Sequence, residues 1–184
     1  MSTPATGTTG RQHVLAEGVR STKLLLGRFL TGFNDVNHIR QTPDLPNHVA
    51  WNLGHLALTM HRVAAMLDGG PVPAKDFVSG DGFKGSRDTG MMDSEAVAFG
   101  SKPEDRHDRY PKLDRCTETY NSACERLALA ITNSPDAKLD ETARWGNGEL
   151  PIHQLIIRMV FHNGFHTGQI SDLRRALGFK MIMG

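Results

Sequence analysis

Four stretches of helical periodicity, three of them opened by a proline, restrict this 184-residue chain to an all-α fold. The first spans residues 11–32, where Leu25, Phe29 and Phe33 form an apolar stripe at spacing four. The second opens at Pro46, a favoured first helical position, and stops before Gly69-Gly70. Its inward seam reads Val49, Asn52, Leu56, Met60, Val63 and Leu67. The third opens at Pro111, carries Leu113, Cys116, Tyr120, Cys124, Leu127 and Ile131, and ends at the Asn133-Ser134-Pro135 breaker. The fourth runs from Pro151 to Leu177, and Gly178 supplies the left-handed residue that commonly follows a helix end. No strand-like alternation of useful length competes with these stretches. The expectation is one four-helix-bundle domain over residues 11–184, behind a flexible, polar tail over residues 1–10.

The connections refine that expectation. About a dozen residues join helices one and two. Residues 68–110, between helices two and three, hold seven glycines and three prolines. Structureless connections beyond about 12–15 residues are uncommon in compact domains. One this long can return the chain to its starting end, which makes helices two and three parallel and the order up-down-down-up. Residues 93–99 can form a short helix within it, anchored by Phe83, Met91, Met92 and Phe99. Two readings of this crossover stand: a surface loop packed on its own residues, or a lid over one end of the bundle.

Composition narrows the partners. Net charge is +1 with neutral histidines and there is no long basic run, so neither nucleic acid nor an anionic membrane is implied. No apolar stretch reaches the length of a membrane span, and the N-terminus lacks the apolar region of a secretion signal. A cytoplasmic protein is expected. Cys116 and Cys124 lie eight residues apart on one helix, roughly 12 Å, too far for a disulfide. They read as core thiols, with a nucleophile or ligand as the alternative.

Nine histidines are the more telling feature. His162 and His166, in HNGFHTGQ, are spaced i, i+4 and project from one face about 40° apart. They interrupt a seam that runs Leu155, Met159, His162, His166, Gln169 with Ile170, and Leu173. Each buried polar group without a partner costs on the order of 1–3 kcal/mol, so this row needs partners. A shared metal ion answers that need. Hydrogen bonds to carbonyls and carboxylates are the plainer alternative. In helix two, His48, Asn52 and His55 fall within roughly 60° of one another and can face the pair. Spacing does not choose between His48 and His55, although His55 lies mid-helix beside Gly54, which permits close approach. His61 and His153 point elsewhere and are expected to be ordinary, partly exposed histidines.

These residues resemble the DinB-like superfamily of bacterial metal-binding proteins, which includes YfiT-like proteins and the mycothiol- or bacillithiol-dependent S-transferases. The resemblance runs from Leu24 to Gly178 and rests on NHVAWNLGHLAL, on HNGFHTGQI, and on AFGSKPEDRHDRYPKL in the crossover. It implies an up-down-down-up bundle, a homodimer, and a three-histidine site for zinc or nickel made by His55, His162 and His166. Gln169 matches the amide position that follows the pair. Gln169, Asn52 and His48 are expected around the ligands or facing substrate.

Three neutral imidazoles leave open positions on the ion, as in catalytic rather than structural sites. Such an ion lowers the pKa of a bound water and favours the thiolate form of a thiol. The expected function is a metal-dependent transferase in which a low-molecular-weight thiol attacks a small electrophilic substrate. The alternatives are a metal-dependent hydrolase and a non-catalytic metal-binding or stress-response protein. No residue is singled out as a general acid or base.

Overall fold

The structure, a computed structural model, describes residues 10–79 and 86–182. In chain order its elements are α1 (Gly10–Phe29), α2 (Val49–Asp68), β1 (Phe77–Val78), the single turn α3 (Ser86–Thr89), β2 (Met92–Asp93), α4 (Leu113–Asn133), a 3₁₀ turn (Asp136–Asp140), β3 (Thr142–Trp145), β4 (Gly148–Pro151) and α5 (Ile152–Ala176). The architecture is predominantly helical, with α1, α2, α4 and α5 standing for the four expected stretches. Of the expected tail, residues 1–9 lie outside the described residues, and Gly10 already opens α1.

Each of α1 and α2 packs on both α4 and α5. Arg11, at the start of α1, pairs with Asp136 just past the end of α4. Arg174, in the last turn of α5, donates to the carbonyl of Phe29 at the end of α1. Arg126 of α4 reaches Asp68 at the end of α2, and Asn47, just before α2, reaches Gln169 late in α5. No helix among the described residues is long and apolar enough to cross a membrane.

Local chemistry sets the boundaries. The second helix begins at Val49 rather than Pro46, because His48 is in extended backbone and its ring Nδ1 accepts from the Trp51 amide, capping α2. Gly69, at φ 69°, closes that helix in the left-handed region. The first turn of α4 borrows its cap from elsewhere: the Leu113 amide donates to Asp35 Oδ1 at 2.8 Å. The α1–α2 connection therefore occupies residues 30–48, longer than the dozen expected, and it also buries His38.

Three further expectations need correction. In the α1 stripe Phe29 and Phe33 are buried as expected, but Leu25 is 38% exposed and Leu26 takes its place beside Ala16 and Val19. A strict spacing of four drifts off the face of a helix with 3.6 residues per turn. Short strands do occur: β1 pairs in parallel with β2, and β3 pairs antiparallel with β4 around Gly146-Asn147. Residues 94–97 form a turn rather than a helix, because Asp93 Oδ1 accepts from the Glu95 and Ala96 amides and competes with helical bonding. Of the crossover anchors, Met92 is buried and Phe99 is 93% exposed, while Phe83 lies outside the described residues.

Fifteen residues of α2 are buried, on all sides of the helix. A helix with no wet face must be covered all round, and the crossover supplies the missing cover. Met92 and Val97 lie over Gly54, where an added Cβ would sit 2.8 Å from Val97 Cγ1 and 3.1 Å from Met92 Sδ.

Candidate metal centre

His55 on α2 and His162 and His166 on α5 come together, each offering a ring nitrogen, with these atoms all within 4.8 Å of one another. Among the described residues this is a group of side chains able to hold a metal ion. His55 and His166 are buried and His162 is half-buried. The His162 and His166 Nε2 atoms lie 3.1 Å apart. Two ligands at about 2.0–2.1 Å from one ion are separated by a similar distance.

What orients each ring decides which nitrogen is free. His55 Nδ1 donates to the Val97 carbonyl at 2.8 Å, and the ring stacks on Trp51 with centroids 4.6 Å apart. His166 Nδ1 donates to Asn52 Oδ1 at 2.6 Å and shares its proton with Gln169 Oε1 at 2.9 Å. Both oxygens are fixed in turn. The Asn52 amide donates to the His48 carbonyl at 3.1 Å, and the Asn47 amide donates to Gln169 Oε1 at 3.0 Å. With Nδ1 protonated on His55 and His166, each Nε2 carries a lone pair. His162 Nδ1 is buried without a hydrogen-bond partner. The Nε2 atoms of His162 and His166, 3.1 Å apart, require a proton or a cation between them, and an all-imidazole donor set suits a divalent transition-metal ion.

Electrostatics keep the three rings neutral. Burial lowers all three from the ordinary histidine value, taking His162 to about 4 and His166 to about 3. Neighbouring charge adds to this, from His55 and Arg158 on His162, and from Arg62 on His55. At neutral pH the nitrogens are therefore available as ligands without prior loss of a proton.

The other sequence candidates take different places. The His48 ring caps α2 and meets Tyr110 edge-on, and its carbonyl rather than its ring reaches toward the cluster through Asn52. His153 is half-buried and donates to the Leu139 carbonyl. His61 is fully buried, against expectation, because the crossover lays Asp76 and Phe77 over it. Cys116 and Cys124 are free, buried thiols; burial pushes both upward, Cys124 to about 11, so neither is a nucleophile at neutral pH.

Sequence reasoning missed the surroundings. Val97 contributes a backbone carbonyl, which no side-chain pattern announces. Trp51 stood in the quoted WNLGH run without a role. His55 and His162 also edge an open cleft of about 810 Å³, walled by Leu58 and Met66 of α2, Val72 and Phe99 of the crossover, Trp145 of the hairpin and Phe161 of α5. The Gly-Asn-Gly turn beside Trp145 was the available signal for that hairpin.

A family model described as the DinB superfamily matches residues 20–170. The chain belongs to the DinB superfamily. Its fold is similar to that of a conserved protein from Enterococcus faecalis, with a TM-score of 0.67 and 11% identity over 89% of this chain and 95% of that one. That likeness concerns the fold alone. No curated protein matches the chain.

Proposed function

We propose that this DinB-superfamily protein is a metal-dependent transferase that uses a low-molecular-weight thiol, with His55, His162 and His166 holding a zinc or nickel ion. The observation that carries this reading is the convergence of three oriented, neutral imidazoles at the edge of an 810 Å³ cleft. When bound there, a divalent cation supplies Lewis acidity and favours the thiolate form of a thiol near neutral pH. The chain's own residues do the rest. Val97 and Asn52 hold His55 and His166 by their Nδ1 protons, and Gln169 and Asn47 secure that arrangement. His55 and His162 border the cleft, and His166 lies behind them. Since Cys116 and Cys124 are buried, the nucleophilic sulfur must come from solution.

The same reading includes an up-down-down-up bundle order in one domain, supported by the end-to-end pairs of Arg11 with Asp136, Arg174 with Phe29 and Arg126 with Asp68. It includes a cytoplasmic homodimer, for which the exposed row Ile157, Phe161 and Phe165 on α5 is a suitable apolar face. The test is elemental analysis of the purified protein followed by assay of electrophile consumption. Turnover should require both the metal and an added thiol. Turnover of esters or amides with no thiol present would establish the hydrolase instead.

A further inference from the structure

The cleft beside the histidines has a charge character that the metal reading does not use. Arg62 of α2, Arg144 of β3 and Arg158 of α5 all line it, and no aspartate or glutamate does. Among the described residues none of these three guanidinium groups forms an ion pair or hydrogen bond. Elsewhere the arginines that cross between elements are occupied: Arg11 with Asp136, Arg20 with Glu125, Arg115 with Asp76 and Arg126 with Asp68. Three separate elements thus bring unpaired cations of one sign to one cleft, in a chain whose net charge is only +1. Arg28 and Arg40 also lack an ion pair among the described residues, but neither lines this cleft; what sets the three apart is that they meet at one concave surface with no carboxylate on it.

The walls between the arginines are apolar and aromatic. Trp145 and Phe161 face the cleft with Leu58 and Met66, and the volume of about 810 Å³ suits a small organic molecule. Arginine presents a planar fork of donors that matches carboxylate, sulfonate and phosphate groups. A flat or apolar body gains from burial against tryptophan and phenylalanine.

We propose that this cleft binds a small organic anion with an apolar or aromatic body, its acidic group held among Arg62, Arg144 and Arg158. Its role as the substrate site rests on the metal-centre reading, but the binding itself does not. Position supports the assignment: an occupant of the cleft touches His55 and His162, which line it, and leaves His166 behind them.

The test compares two fluorescent probes of nearly the same shape on the full chain: 8-anilinonaphthalene-1-sulfonate and the uncharged N-phenyl-1-naphthylamine. Replacing all three arginines with glutamine should weaken the sulfonate about tenfold or more, the combined effect of three exposed charges. The uncharged probe should change less than about twofold, and metal content should stay that of the parent protein. A triple lysine variant, which keeps the charge, should retain most of the preference for the sulfonate. Equal weakening of both probes, or unchanged sulfonate binding in the triple glutamine variant, would overturn the proposal. The two readings separate cleanly. A protein that binds no metal yet discriminates by charge keeps the cleft assignment and loses the metal centre, and a metal-loaded protein without discrimination does the reverse.

Discussion

His55 and His61 stand six residues apart on α2 and face different sides of it, about 120° apart, and both are buried with their charged forms disfavoured. Their partners differ. His55 meets a carbonyl, an indole and two further imidazoles, with no carboxylate among them. His61 instead lies in a charged set: its Nδ1 accepts from Arg126 at 3.4 Å and its Nε2 faces Asp76 Oδ2 at 3.7 Å, while Arg115 holds Asp76 at 2.7 Å. On one side the ring nitrogens face one another and could hold a cation. On the other, charge is already balanced by the protein itself. Burial alone therefore does not mark a metal ligand; the polarity of what surrounds the ring does.

Four experiments break or sharpen this contrast. The largest effect belongs to His162→Ala, which removes one of the three proposed ligands. Metal content should fall to background and any thiol-dependent rate should drop more than about 100-fold, since the remaining pair holds an ion poorly. His61→Gln should leave metal content unchanged. Comparable metal loss in the His61 variant would erase the distinction between the two sides.

Gly54→Ala comes next. Its Cβ would press on Val97 and Met92, so denaturant unfolding should report a loss of about 2 kcal/mol. Because Val97 also holds His55, metal affinity should weaken in the same variant. Full stability together with full metal affinity would show that the crossover yields there at no cost.

A smaller change is expected from Asn52→Ala, which takes one acceptor from His166 Nδ1 and leaves Gln169 in place. Metal affinity should fall by about tenfold with the fold intact. An unchanged metal dissociation constant would show that Gln169 alone suffices.

The smallest effect is in pH dependence. His61 binds its proton at about 4 in the folded chain against an ordinary value of 6.5. Its contribution to stability is thus complete above pH 6.5 and is lost as pH falls toward 4, because over that window the unfolded chain takes up the proton first. In metal-free protein His61→Gln should flatten the slope of unfolding free energy in that range by about 1 kcal/mol per pH unit or less. An identical slope would place the acid sensitivity on other buried histidines, His48 among them, which burial lowers to about 3.

Legibility in the sequence followed the range of the interactions. The four long helices were readable because proline, glycine and apolar periodicity act within a few residues of one another. The i, i+4 spacing of His162 and His166 was readable for the same reason, and Asn52 and Gln169 were legible as polar breaks in apolar seams. The burial of His61 was not, since it comes from Asp76 and Phe77 arriving from a different part of the chain. Neither was the tether on His55, because the Val97 carbonyl belongs to the backbone and any residue could have supplied it. Strands of two residues, such as β1 and β2, are too short for alternation to register. Leu25 departs from the buried face that Phe29 and Phe33 share, because a spacing of four overshoots the helical repeat and Leu26 falls on the face instead.

The β3–β4 hairpin closes one side of the cleft without supplying any of the three histidines. At its tip Gly146 adopts φ 60°, and neither Gly146 nor Gly148 would meet another atom within 4 Å if it carried a side chain. At Gly148 a new side chain meets open space, and at Gly146 the positive φ rather than packing is the constraint. His55 and His166, by contrast, are held in place on α2 and α5 by the Val97, Asn52 and Gln169 acceptors. A lineage or a designer can therefore rewrite Arg144, Trp145 and the turn as an exchangeable cassette, changing what the cleft admits while the histidine cluster is inherited whole.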